Sequence, residues 1–393
     1  MLERYRFKSQ YDAGFIVIFF TIFSLIKLYP YNNEFQTILI DSGNDWSTYA
    51  KYGLDIKNNG LLLPVVDGPY ERPASFMYNY FLALCFKVFG ENTTYIYLLQ
   101  STMLGFSISF IYLAFRESIS IKLWGFFLFA LLFFGLKDVS EYCTQRLLGE
   151  NLALFSMSLF SLLFSRGILH HNHLSLLLSS VCLSIAALTR PNIFPFIIFL
   201  VLFIMFKKPK NWVSFILTLG LFCSLLAFRN YLCCGQTNFL PTHGAVENTK
   251  IFFQIPESIH ISKADTFISS YLKYMLYEPV SFFSHFFKKT LFCMGFLPML
   301  DDTMPYKPHW MVIWFGYFIY LFKVASNKLK INDVEKMIHV FIFTYFGTLI
   351  LIAPVENYGF RMLIPGLFFV IVFFFKGLSL LISERFNFSE ILK

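Results

Sequence analysis

The chain has 393 residues, of which 56% are hydrophobic and only 14% are charged, and its formal net charge is +8. Soluble domains carry about a quarter charged residues, so this composition excludes an ordinary soluble protein and indicates a polytopic membrane protein. In that class, Lys and Arg gather in cytoplasmic loops, so the positive charge does not indicate nucleic-acid binding.

Ten apolar runs are candidate transmembrane helices, because a helix needs about 20 residues to cross the hydrocarbon core and about 17 at the least. Several of the runs are short, which leaves their boundaries soft. We therefore predict an all-α polytopic membrane protein of about ten transmembrane helices. In chain order the runs are Gly14–Tyr31, Tyr95–Phe115, Leu123–Leu136, Asn151–Ser165, Leu174–Leu188, Pro191–Phe206, Trp212–Tyr231, His309–Lys323, Met337–Ala353 and Met362–Leu381.

The short basic loops predict the orientation of these helices. Loops rich in Lys and Arg face the cytoplasm, which places both chain ends there and two long segments, Tyr31–Tyr95 and Cys233–Pro308, on the outer side. Each long segment contains an apolar stretch that must lie in the membrane interface for the alternation of spans to hold. These stretches are Ser75–Gly90 and Pro279–Pro298.

Three regions follow from this topology. Residues 1–232 form a transmembrane module whose first outer loop spans 31–94. Residues 233–308 form an outer loop with an interfacial helix, and residues 309–393 form the C-terminal transmembrane helices.

The first outer loop contains a polar segment, Asp45–Gly60, with the pattern of a short helix. Asn58, Asn59 and Gly60 supply a C-terminal stop, and Asp45 falls at the helix N-terminus, where the helix dipole favours a carboxylate. Tyr49 follows one turn later on the same face. A capped interfacial helix is the simpler interpretation of this segment, and a catalytic loop is the other.

Further charged residues recur at the predicted outer ends of helices. Alone, each is ordinarily a helix cap or a side chain that reaches for the headgroups, but carboxylates and arginines gathered at one mouth of a bundle predict a functional site. An Arg at this depth can also bind a lipid phosphate through two hydrogen bonds. These residues are Glu71, Arg72, Glu150, Arg190, Arg229 and Arg361.

The order of these motifs resembles that of GT-C class glycosyltransferases that use polyprenyl-phosphate sugars, in particular aminoarabinose lipid A transferases and protein O-mannosyltransferases. The resemblance spans most of the chain. It rests on Asp45-Trp-Ser-Thr-Tyr-Ala, Glu71-Arg-Pro, Thr189-Arg-Pro, Phe228-Arg-Asn-Tyr and Asn357-Tyr-Gly-Phe-Arg.

The resemblance implies an inverting hexosyl or pentosyl transfer from a polyprenyl-phosphate sugar to a lipid, glycan or protein acceptor. Asp45 would be the general base, and Glu150 would hold the acceptor or assist Asp45. Tyr49 would shape the pocket. Glu71, Arg72, Arg190, Arg229 and Arg361 would bind substrate, with Arg72, Arg190 and Arg361 on the lipid phosphate.

The implied setting is a bacterial inner membrane, with the site facing the periplasm or the exterior and membrane lipids as further partners. In the resembling enzymes an acid usually follows the first aspartate, whereas this chain has Trp46. We therefore expect no metal and no other cofactor, although a divalent ion stays an open alternative.

Two other functions fit parts of the pattern. An O-antigen ligase or polymerase also uses polyprenyl-linked sugars and arginines in outer loops. A polyprenyl-lipid transporter or flippase needs ionisable residues near the bilayer midplane, whereas the charges here lie at helix ends, with Lys376 as the main exception.

Overall fold

The structure is a computed structural model that describes residues 13–19, 21–22, 45–60, 76–115, 137–234, 256, 258–259, 267–296, 308–326, 329–352 and 359–386. Every regular element within these residues is helical, in agreement with the predicted all-α class. The chain divides into two compact units, Met1–His243 and Gly244–Lys393, which are treated separately below.

The first unit contains nine of the helices labelled in this article. They are α1 (Asp45–Asn59), α2 (Phe76–Phe89), α3 (Thr93–Phe115), α4 (Lys137–Thr144), α5 (Glu150–Leu169), α6 (His173–Thr189), α7 (Phe194–Lys207), α8 (Trp212–Cys223) and α9 (Leu225–Cys234). A short 3-10 turn, Pro191–Ile193, joins α6 to α7.

The second unit contains five labelled helices. They are α10 (Phe267–Tyr277), α11 (Pro279–Cys293), α12 (Pro308–Ala325), α13 (Asp333–Ile352) and α14 (Ile364–Phe386). A 3-10 turn, Gly359–Leu363, precedes α14.

Four helices in the described part of the chain are long and apolar enough to cross a bilayer. They are Thr93–Phe115, Glu150–Leu169, Trp212–Arg229, which runs from α8 into α9, and Asp333–Leu351. Shorter apolar helices accompany them, so the structure supports a polytopic all-α membrane protein. The number of ten spans stays a prediction, and one of the predicted spans, Leu123–Leu136, lies outside the described residues.

Small side chains allow α5 and α6 to pack closely in the first unit. A Cβ atom added at Gly167 on α5 would lie 2.9 Å from the Cβ of Leu176 on α6. The buried Ser158 and Ser184 hydroxyls donate to carbonyls of their own helices, Leu154 at 2.7 Å and Ser180 at 2.8 Å. Such pairing satisfies the hydroxyls within the helix, so the serines act as small residues at a helix interface.

The second unit is held by glycine contacts and a buried ion pair. A Cβ added at Gly377 on α14 would collide with the Gly316 carbonyl on α12, and one added at Gly316 would collide with the Phe374 ring on α14. Glu335, in the first turn of α13, accepts the Asn332 N–H at 3.2 Å, while Asn332 Oδ1 accepts the Glu335 N–H at 2.8 Å. The other carboxylate oxygen of Glu335 lies 2.7 Å from Lys376 Nζ. Lys376 on α14 thus neutralises the carboxylate that caps the N-terminal end of α13.

Both stretches predicted to lie in the interface are helical. The first corresponds to α2 and the second to α11. Their depth in the bilayer and the predicted region boundaries stay predictions.

Candidate functional site

Helix α1 begins at Asp45, as the sequence predicts. Asp45 occupies the first turn, and Gly60 follows the last turn with a φ of +99°. Its N–H donates to the Ile56 carbonyl at 3.0 Å, a helix-ending bond that a left-handed glycine allows. The candidate base therefore lies at the helix end where the helix dipole favours negative charge.

Helices α1 and α2 pack side by side and run parallel to each other. The Tyr49 ring meets the Tyr78 ring edge to face, with centroids 5.8 Å apart. One turn later, a Cβ added at Gly53 would lie 2.9 Å from the Cβ of Leu82. Because Tyr49 and Gly53 pair with Tyr78 and Leu82 in the same order, the N-terminal ends of the two helices are level.

A ring of contacts fixes the N-terminal end of α1 against the rest of the first unit. The Arg146 guanidinium carbon lies 4.2 Å from the centre of the Trp46 ring and 5.2 Å from that of Tyr142. Gln100 Nε2 donates to the Arg146 carbonyl at 3.0 Å, and Tyr78 donates to Gln100 Oε1 at 2.8 Å. Because Tyr78 also contacts Tyr49 on α1, these contacts form a closed ring.

Asn151 on α5 binds the backbone beside this ring of contacts. Its side-chain nitrogen donates to the Gln100 carbonyl and to the Cys143 carbonyl, both at 2.6 Å. Both bonds are short and buried, so this amide joins α3, α4 and α5 at one point.

Glu150 and Arg190 form a buried ion pair next to this ring. Glu150 is the first residue of α5, and Arg190 follows the last residue of α6, with its N–H donating to the Ala186 carbonyl at 2.8 Å. Arg190 Nη2 contacts Glu150 Oε1, and the Glu150 side chain has no exposed surface. Burial and the Glu150 carboxylate raise the pKa of the Cys143 thiol, while Arg190 acts in the opposite direction.

The structure brings together some of the predicted site residues. Tyr49 is buried against Tyr78, and Glu150 is joined to Arg190. Arg229 lies on α9 of the same unit and is buried. Arg361 lies in the 3-10 turn of the second unit. Glu71 and Arg72 lie outside the described residues.

Sequence reasoning did not select Tyr78, Asn79, Gln100 or Asn151 as site residues. Asn79, Gln100 and Asn151 carry amides in otherwise apolar helices, a pattern that marks functional or structural polar contacts in membrane proteins. That signal was available in the sequence. The stacking of Arg146 on Trp46 was not, because it joins segments far apart in the chain.

The described residues contain no group of three or more His, Cys, Asp or Glu side chains that could hold a metal ion. Arg146 supplies positive charge beside Trp46, the position at which the resembling enzymes carry an acid.

Residues 71–232 match the family model of the dolichyl-phosphate-mannose-protein mannosyltransferases. The resemblance to GT-C glycosyltransferases that the sequence predicts is thus confirmed over this segment. Glu150, Arg190 and Arg229 lie within the matched residues, whereas Asp45 and Arg361 lie outside them. No curated protein matches the chain, and no solved structure matches it. The family match supports a membrane glycosyltransferase that uses polyprenyl-phosphate sugar donors.

Proposed function

We propose that this protein moves a sugar from a polyprenyl-phosphate donor to a lipid, glycan or protein acceptor on the outer face of a bacterial inner membrane. The family match over residues 71–232 carries this proposal, because the matched segment supplies Tyr78, Gln100, Arg146 and the Glu150–Arg190 pair. The apolar helices of the first unit provide the membrane setting in which such a donor is found.

In this proposal Asp45 is the general base. It takes the proton from the acceptor hydroxyl as that oxygen attacks the anomeric carbon of the sugar. The bond between this carbon and the phosphate oxygen breaks, and its electron pair leaves with the polyprenyl phosphate. A single displacement of this kind inverts the anomeric configuration, whether the sugar is a hexose or a pentose.

Arginines hold the phosphate that leaves. Arg190 forms an ion pair with Glu150, and this pair keeps the Arg190 guanidinium in place within a buried environment. Glu150 therefore acts in this proposal through Arg190, in addition to any contact with the acceptor. Glu71, Arg72, Arg229 and Arg361 stay predicted substrate-binding residues, and no metal or other cofactor takes part in this proposal.

Changing Asp45 to Asn tests the base directly. Asn keeps the size of the side chain and its ability to accept a hydrogen bond at the helix end, but it cannot take a proton at neutral pH. We expect sugar transfer to fall by at least about 100-fold, within the range usual for a general base. Transfer is measured with purified protein in lipid nanodiscs, a radiolabelled polyprenyl-phosphate sugar and an extract of cell-envelope acceptors.

Asp55→Asn is the matched control, since Asp55 lies on the same helix but near its other end. This variant should transfer sugar at the rate of the unchanged protein. Equal activity in the Asp45 and Asp55 variants would refute the role of Asp45. Movement of the lipid across the bilayer with no sugar transfer by the unchanged protein would instead identify a flippase.

A further inference from the structure

Asn79 on α2 is a fully buried side chain whose amide oxygen and amide nitrogen both lack a hydrogen-bond partner. Among the described residues, no other buried side-chain amide lacks a partner at both its oxygen and its nitrogen. Gln100 is bonded at both amide atoms, and Asn151 donates two bonds through its nitrogen. An amide buried in this way is unfavourable unless a ligand or an ordered water satisfies it.

Asn79 is flanked by two parts of the candidate site. Its neighbour Tyr78 contacts Tyr49 and Gln100 in the ring of contacts described above. Met77 and Tyr80, which precede and follow Tyr78 and Asn79 in the sequence, pack against the buried Leu188 and Leu226. Leu188 lies near the end of α6, two positions before Arg190. Asn79 therefore lies in the first turn of α2, next to the tyrosine that contacts the helix carrying Asp45.

The hydrogen-bonding groups of the amide indicate which part of a polyprenyl-phosphate sugar Asn79 can bind. An amide offers one acceptor oxygen and one donor nitrogen side by side. The polyprenyl chain can satisfy neither atom, and an ionised phosphate can only accept. A sugar hydroxyl both donates and accepts, so it can satisfy the oxygen and the nitrogen of Asn79.

We propose that Asn79 binds a hydroxyl of the sugar that is transferred. This inference rests on the proposed function, because it assumes that the donor is a polyprenyl-phosphate sugar. Asn79 then contributes to recognition of the sugar, and it is separate from the arginines that hold the phosphate and from the carboxylate that takes the proton.

The test compares two lipids on two variants of the full-length protein in lipid nanodiscs. The lipids are polyprenyl-phosphate mannose, suggested by the matched family, and polyprenyl phosphate without a sugar. The variants are Asn79→Leu, which has a similar volume, and Asn79→Ala, which removes the amide with the least steric change. We expect the unchanged protein to bind the mannose lipid more tightly than the bare lipid. Both variants should lose about 2- to 12-fold of that preference for each hydrogen bond that is removed.

Thermal unfolding without lipid separates this role from a structural one. We expect Asn79→Leu to unfold at the same temperature as the unchanged protein or higher, because the substitution removes a buried amide that lacks partners. Asn151→Leu is the matched control, and it should unfold at a lower temperature because it removes two buried hydrogen bonds.

The outcomes distinguish the inference from the function on which it rests. If the unchanged protein shows no preference for the mannose lipid, the proposed donor is refuted, and the inference fails with it. If the preference exists and both variants keep it, the inference fails while the proposed function stands. Retained preference together with a lower unfolding temperature would show that Asn79 holds an internal water and has only a structural role.

Discussion

At the scale of single residues, the Glu150–Arg190 pair changes how the predicted site is understood. The sequence places the two residues at the ends of different helices and predicts a catalytic or acceptor-binding role for one and phosphate binding for the other. The structure joins them in a buried ion pair. Removing one charge takes an ion-pair partner from the other buried charge, which is more costly than removing both charges together.

We predict that Glu150→Gln lowers the free energy of unfolding by about 3 to 5 kcal/mol, because the buried Arg190 then loses the carboxylate with which it forms an ion pair. Sugar transfer should also fall, since Arg190 loses the group that positions it. Thermal or denaturant unfolding in detergent measures the first effect, and the nanodisc transfer assay measures the second.

The double variant Glu150→Leu with Arg190→Met is the control for this pair. It replaces two charges by apolar side chains of comparable size, so stability should return to near that of the unchanged protein. Transfer should stay low, because no cation is left to hold the phosphate. A double variant as unstable as the single one would contradict the explanation by uncompensated charge.

At the scale of helices, the packing of α1 on α2 determines where Asp45 lies. The sequence predicts both helices, and it places Asp45 at the start of the first. The close approach at Gly53 sets the register that makes the helix ends level. In the second unit, the Glu335–Lys376 pair likewise explains Lys376, the main charge within a predicted span, as the partner of a helix-capping carboxylate.

We predict that Gly53→Ala separates α1 from α2 and lowers sugar transfer. The new Cβ would lie 2.9 Å from Leu82 Cβ and 2.9 Å from a ring carbon of Phe86, so one of the helices must move. Overpacking of this kind costs about 1 to 3 kcal/mol. Transfer activity and the unfolding temperature measure the effect.

Gly220→Ala on α8 provides the comparison, since a Cβ at that position meets no atom within 4 Å. Alanine favours a helix over glycine by about 1 kcal/mol, so this variant should be as stable as the unchanged protein or more so. If the two alanine variants behave alike, close packing at Gly53 does not position the site.

At the scale of the whole molecule, the proposed site depends on the orientation of the chain in the membrane. Asp45 and the outer ends of the helices must face the side on which the polyprenyl-phosphate sugar is available. This orientation comes from the distribution of Lys and Arg between loops, which is a property of the sequence. The four helices able to cross a bilayer are compatible with it.

We predict that a periplasmic reporter such as alkaline phosphatase is active when fused after Gly60 and inactive when fused after Asn172. The first position follows the helix that carries Asp45, and the second lies in the predicted cytoplasmic loop before α6. A cytoplasmic reporter, β-galactosidase, should give the opposite pattern at the same two positions. Activity of the periplasmic reporter only after Asn172 would place Asp45 in the cytoplasm and exclude the proposed outer-face site.

The sequence by itself determined the helical class, the membrane setting, the α1 helix with Asp45 at its start, and the family resemblance. These properties depend on composition, on local periodicity and on the order of motifs, all of which are local or additive along the chain. The tertiary structure alone decided that Glu150 pairs with Arg190, that Arg146 stacks on Trp46, and that Asn79 is buried without a partner. Each of these depends on side chains from separate helices or on how a helix face is covered, and packing at positions such as Gly53 and Gly167 determines both.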